Sequence, residues 1–117
     1  MFTISKEFYF SASHQLEGLS DNHPCGRLHG HNYTIRVFLK ANAPNKDGFV
    51  QDYNDLQPIT DWVHTVLDHR NLNEVFDFQT SMENMSKYIF DLFKPLFPLL
   101  FAVEMSETPK TNCRYEA

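Results

Sequence analysis

The chain has 117 residues, 42% hydrophobic and 15% aromatic, with a formal net charge of −5. That is one domain's worth of sequence, residues 1–117, able to bury a core but not a large one. The acidic balance and the lack of a Lys/Arg cluster exclude a nucleic-acid binder of the usual basic kind. No transmembrane stretch or signal peptide is visible, so no membrane partner and a cytoplasmic location are expected. Eleven Phe in so short a chain can also serve subunit interfaces, which points to a homo-oligomer.

Phe2 to His14 alternates. Phe2, Ile4, Phe8, Phe10, Ala12 and His14 share one parity, with Lys6 and Tyr9 as exceptions, so a strand with one buried face is expected. Residues 15–28 hold Gly18, Asp21, Asn22, Pro24 and Gly26, which is loop chemistry. His29 to Leu39 alternates again, with Tyr33, Ile35, Val37 and Leu39 on the parity of His29 and His31. Residues 41–47 read as a turn and Gly48 to Tyr53 as a short returning strand.

Asp55 to Asp68 has helical spacing at Leu56, Ile59, Val63, Val66 and Leu67, with Asn54 as its cap and Pro58 in its first turn. A second helix is predicted from Thr80, where Thr80-Ser81-Met82-Glu83 reads as a capping box. Leu99 to Thr108 reads as a strand with Leu99, Phe101, Val103 and Met105 on one face. A last short strand is expected over Thr111 to Tyr115. The order is β-β-α-α-β-β.

His29-Gly30-His31 is the sharpest local signal. Residues i and i+2 of a strand project from one face, so both imidazoles aim at one point. His14 lies on the apolar parity of the first strand and joins them if the two strands pair as a hairpin. A lone His on an apolar face is usually a satisfied core residue; three on buried parities suit a metal, and three imidazoles with an open fourth position suit catalytic zinc. His23 and His64 fall to loop and helix.

Cys25, four residues before His29, can transfer protons to a metal-bound substrate, ligate the metal, or be inert. A closed four-ligand site would leave no room for substrate, which favours proton transfer. Cys113 has no such neighbours and reads as structural. Asp68-His69 closes the first helix, either as a carboxylate-oriented base or as an imidazole meeting the helix dipole; the residues leave both open. Glu107 continues the parity of Val103 and Met105, so its carboxylate should point inward and need a partner. A guanidine-like edge of a heterocycle would donate two hydrogen bonds to it.

Taken together, Phe10-Ser-Ala-Ser-His14, Cys25-Gly-Arg-Leu-His29-Gly-His31-Asn-Tyr33, Gly48-Phe-Val-Gln-Asp52-Tyr53, Leu67-Asp-His69 with Leu72-Asn73, Thr80-Ser-Met-Glu83-Asn84 and Glu107-Thr108 resemble the 6-pyruvoyl-tetrahydropterin synthase superfamily nearly end to end. Within it they are most similar to the 6-carboxy-tetrahydropterin branch of queuosine biosynthesis, because three residues separate Cys25 from His29. The resemblance implies an α+β T-fold, an antiparallel four-stranded sheet with two helices on one face. It implies assembly into trimer-based barrels, a hexamer, with active sites at subunit interfaces.

It further implies zinc on His14, His29 and His31, a lyase in which Cys25, His69 and Asp68 move protons, and Glu107, Thr80 and Thr108 as substrate contacts. The implied substrate is 7,8-dihydroneopterin triphosphate, going to 6-carboxy-tetrahydropterin, acetaldehyde and triphosphate. Alternatives are 6-pyruvoyl-tetrahydropterin synthesis on the same site and a non-catalytic zinc-stabilised binding module. One departure is Gln79, where the family often has proline; it alters the helix entry and not the chemistry.

Overall fold

The computed structural model describes Met1–Ala117. Strand β1 spans Phe2–His14 and β2 His29–Ala41, and they pair antiparallel from Phe2↔Ala41 to His14↔His29. Because side chains alternate, Phe8, Phe10, Ala12 and His14 share one face with Tyr33, Ile35, Val37 and Leu39, and all eight are buried. The opposite face carries Glu7, Tyr9, Arg36 and other polar groups.

The predicted first helix is three kinds of turn in series. A 3-10 turn Tyr53–Leu56 leads into α1, Gln57–Trp62, and then into a wide π turn over Val63–Leu67. Asp52, not Asn54, caps its start, accepting from Asn54 N–H at 2.9 Å. Leu56, Ile59, Val63 and Leu67 face the core as their spacing requires. Residues 48–52 are not a strand: Gly48 has φ +89°, and the Asn45 side chain accepts from the Asp47 and Phe49 N–H groups, closing a turn.

Next come β3, Arg70–Asn71, and a single turn α2, Leu72–Val75. β3 pairs in parallel with Ala12 and Ser13 of β1, an added short strand that the four-strand expectation lacks. Helix α3 spans Met82–Phe93. Its N-cap is Ser81, accepting from Asn84 N–H at 3.3 Å, rather than Thr80. Met85, Ile89, Phe90 and Phe93 put its apolar face into the core.

Strand β4, Leu100–Thr108, begins one residue later than expected, and β5 spans Thr111–Glu116. The sheet order is β3-β1-β2-β4-β5. Between the pairs Phe38↔Ala102 and Leu39↔Leu100, β4 holds an extra residue, Phe101. This bulge turns Phe101 to the outer face, against Phe38 at 6.2 Å and under Lys40 at 4.4 Å. Leu100 takes the core position predicted for Phe101. One core of 22 buried residues lies between the inner sheet face and the helices. No helix is long and apolar enough to cross a membrane.

Candidate functional site

The apolar stripe of β1 and β2 ends in imidazoles. His14 and His29 are direct cross-strand partners, and His31 follows two residues on, opposite Ala12. The three rings stand nearly perpendicular, with centroids 4.6, 5.3 and 4.7 Å apart. One nitrogen from each lies within 4.8 Å of the others.

The ring tautomers follow from the outer hydrogen bonds. His14 Nδ1 donates to the Thr80 carbonyl at 2.9 Å, and His29 Nδ1 donates to the Arg27 carbonyl at 2.6 Å. A carbonyl only accepts, so both rings carry hydrogen on Nδ1 and present bare Nε2 lone pairs. Those two Nε2 atoms are 3.1 Å apart with no proton to share. His31 Nε2 is buried and has no hydrogen-bond partner. Two nitrogens on one tetrahedral zinc sit about 3.3 Å apart, so the donor set fits a cation at their centre. Burial is the largest influence on His14 and holds its pKa below 6.5; the neighbouring imidazoles push the same way, and the Thr80 carbonyl and Glu107 oppose. The neutral, ligating form is favoured.

Glu107 reaches this cluster as its parity predicts. Its Oε2 lies 3.4 Å from both His14 Nε2 and His31 Nε2. It also lines a cleft of 350 Å³ with Met82, Glu83, Met105 and Thr111. Thr80 is fully buried behind His14, where its carbonyl orients the ring. Thr108 is the last residue of β4, paired with Thr111 across the β4–β5 turn, and its hydroxyl lies 2.9 Å from that of Thr111.

Asp68 and His69 form a second cluster at the β1 edge. The π turn ends with Asp68 N–H donating to Val63 O, and His69 then reverses the chain at φ +59°. Ser11 N–H donates to Asp68 Oδ1 at 2.9 Å, and His69 N–H returns to Ser11 O at 2.6 Å. Asp68 Oδ2 holds His69 Nδ1 at 2.9 Å, while the His69 side chain is 83% exposed. The Ser11 N–H and then the His69 ring hold the Asp68 carboxyl below its usual range. His64, also exposed, stands 3.9 Å from the same carboxylate. An open cleft of 540 Å³ joins His69 to His31, with Ser11, Ser13, Asn32 and Arg70 in its walls.

Cys25 makes no hydrogen bond to either cluster. It occupies a one-turn helix, Pro24–Gly26, half-buried. Its N–H donates to His23 Nδ1 at 3.1 Å and its carbonyl accepts from Leu16 N–H at 2.9 Å. Cys113 is a half-buried free thiol on β5 opposite Met105. The sequence pattern placed Tyr33 on the face of the histidines but did not reveal that its buried hydroxyl lacks a partner there, nor the carboxamides of Asn73 and Gln79 that hold residues 15–17. Polar side chains bonded to backbone leave no periodic trace.

Residues 3–117 match the family described as 6-pyruvoyl tetrahydropterin synthase. The chain is 34% identical to the 6-carboxy-5,6,7,8-tetrahydropterin synthase of Synechocystis sp., over 98% of this chain and 93% of that protein. It is 32% identical to the 6-pyruvoyl tetrahydrobiopterin synthase of Drosophila melanogaster, over 96% and 77%. The structure of Caenorhabditis elegans 6-pyruvoyl tetrahydropterin synthase superposes with a TM-score of 0.86 at 31% identity, covering 99% of this chain and 95% of that one. With the sheet, the three-histidine cluster and these matches in agreement, the chain belongs to the 6-pyruvoyl tetrahydropterin synthase family of enzymes.

Proposed function

We propose that the chain is a zinc-dependent 6-carboxy-5,6,7,8-tetrahydropterin synthase serving queuosine biosynthesis. It takes 7,8-dihydroneopterin triphosphate and water to 6-carboxy-tetrahydropterin, acetaldehyde and triphosphate. The observation that carries this reading is the three-imidazole cluster with Glu107 against it. His14, His29 and His31 would hold the zinc, which when bound supplies a Lewis acid that lowers the pKa of the substrate's side-chain hydroxyls.

The protein's own groups do the rest. Glu107 turns one carboxylate oxygen toward the histidines, leaving the other to accept from the amino and ring N–H edge of a pterin. Cys25 takes and returns protons between side chain and ring. Asp68 fixes the His69 ring through Nδ1, so that Nε2 is the atom that exchanges a proton. No hydrogen bond joins Cys25 to Asp68 or His69 within one chain, and the His69 ring is solvent-facing. These two facts suit a homo-oligomer in which Asp68–His69 serves the Cys25 of a neighbouring subunit; the trimer-based hexamer is what the family resemblance implies. β3 pairs with only Ala12 and Ser13 of the β1 edge, leaving backbone there for another copy.

The similar identity to a carboxy- and a pyruvoyl-type relative keeps 6-pyruvoyl-tetrahydropterin synthesis as a second reading. Mass spectrometry of the products from dihydroneopterin triphosphate separates them. Acetaldehyde with a carboxy-pterin supports the first; a pyruvoyl-pterin without acetaldehyde replaces it with the second. Absence of any pterin turnover by metal-loaded protein would leave a binding module.

A further inference from the structure

Residues 15–17 leave the metal ligand His14 and open the loop that carries Cys25. Their backbone is held from one side by two side-chain carboxamides. Gln15 N–H donates to Asn73 Oδ1 at 2.8 Å, and Asn73 Nδ2 donates back to Gln15 O at 2.8 Å. Two residues on, Glu17 N–H donates to Gln79 Oε1 at 2.9 Å, and Gln79 Nε2 donates back to Glu17 O at 2.9 Å. Each carboxamide offers one acceptor and one donor to a single residue, as the paired residue of an antiparallel strand does, and the i, i+2 spacing is that of such a ladder.

Two of these residues, Gln15 and Leu16, also hold the cysteine turn. Leu16 N–H donates to Cys25 O at 2.9 Å, and Gln15 Nε2 donates to Gly26 O at 2.7 Å. The anchor is shared with the metal cluster. Gln79 O accepts from Asn84 Nδ2 at 3.0 Å, and the next carbonyl, that of Thr80, orients His14 at 2.9 Å. One dipeptide, Gln79–Thr80, therefore sets both a ligand ring and the segment that bears the thiol.

We propose that Asn73 and Gln79 form a carboxamide clamp that positions Cys25 with respect to the three histidines, as positioning residues for the reaction. Its catalytic consequence rests on the function proposed above; its structural consequence does not. Without the clamp, the loop between β1 and β2 keeps only its internal bonds and samples a wider set of thiol positions. Gln79 matters here as a hydrogen-bonding side chain, which sets this helix entry apart from one that begins with proline.

The test compares the wild-type protein with Gln79→Met, Asn73→Leu and the double variant. Each replacement keeps approximate size and removes the amide. Three quantities are measured: metal per chain, the alkylation rate of Cys25 by iodoacetamide with peptide mass spectrometry resolving it from Cys113, and kcat and KM separately. The expected result is unchanged metal content, several-fold faster Cys25 alkylation, and a kcat lowered about tenfold in each single variant with KM little altered. Should the double variant not fold, the single variants decide. Alkylation and kcat both within twofold of wild type in folded, metal-loaded variants would overturn the clamp, as would a loss of kcat that only follows lost metal. If the wild-type protein turns over no pterin, the proposed function fails, and the alkylation rates still decide the clamp.

Discussion

His14 and His29 face each other at the end of a β1–β2 register unbroken from Phe2↔Ala41, whereas Cys25 and the Asp68–His69 pair hang on turns. The first group inherits its placement from a backbone ladder with a packed core beneath it. Only ring rotation is left to settle, and the Thr80 and Arg27 carbonyls settle it for His14 and His29. The second group depends on bonds at or near the surface: a cap from His23, a carboxylate on Ser11 N–H, a left-handed His69. Such bonds open at low cost compared with a core ladder. The three-histidine cluster is thus preformed within one chain, while Cys25 and the Asp68–His69 pair are held only by turn and surface bonds.

The strongest way to break this contrast is at the ladder end. His29→Ala removes one of the three proposed ligands and leaves its cross-strand partner His14 in place. Stoichiometric zinc should be lost and turnover should fall by several orders of magnitude, while the circular dichroism spectrum keeps its strand signal. Zinc retained at one per chain, measured by atomic emission, would remove these histidines from the metal site.

A smaller effect is expected at the turns. Asp68→Asn keeps an oxygen to accept from Ser11 N–H but no longer stabilises a positively charged His69. Turnover should fall about a hundredfold, the usual scale for a general acid–base group, with zinc content unchanged. Loss of zinc in this variant would mean that the two regions are not separable. The pH dependence has a sign of its own. Because the folded Asp68 carboxyl lies below its usual value, its contribution to stability is present above about pH 3.8 and is lost as pH falls through the lowered value.

What the sequence showed of these regions follows the same division. Strand faces were legible because a two-residue period with one buried face has only one register, so His14, His29, His31 and Glu107 could be placed from parity. The same logic failed at Phe101, because Leu100 and Phe101 are both apolar and a bulge leaves no mark in their pattern. The first helix kept its apolar spacing across the π turn, which hid the turn that carries Asp68 to Ser11. Thr80 and Ser81 can each cap a helix; burial of Thr80 under His14 decides between them. Gln15, Asn73 and Gln79 act through backbone bonds to residues far along the chain, which no local pattern encodes. The substrate came from family resemblance alone.

The metal-free protein should also lose stability in mild acid. Burial, the largest influence, lowers the His14 pKa, so the unfolded chain binds the proton first as pH falls below 6.5. Stability is complete above that value and declines below it until the folded ring protonates as well. Thermal melts of zinc-free protein between pH 8 and pH 5 should show the midpoint falling. In His14→Asn this slope should flatten, and an unchanged slope would assign the effect to other groups.

The finest test concerns Tyr33, which sits within the rigid region yet carries a polar group it does not satisfy. Its ring stacks on Phe10 at 4.8 Å and meets His14 and His31 edge-on at 5.8 and 5.5 Å. Its hydroxyl is buried without a hydrogen-bond partner. Burial first, and then the charge of Glu107, push its pKa above the ordinary 10, so the proton stays on throughout the working range. An unpartnered buried hydroxyl costs about 1–3 kcal/mol. Tyr33→Phe keeps the stacking and removes that cost, so the metal-free protein should gain about 1 kcal/mol in denaturant melts. A loss of similar size would mean that the hydroxyl finds a partner in solution, such as a water bridging to Glu107. The ladder end would then rest on a polar network as the turns do, and the two regions would differ in degree rather than in kind.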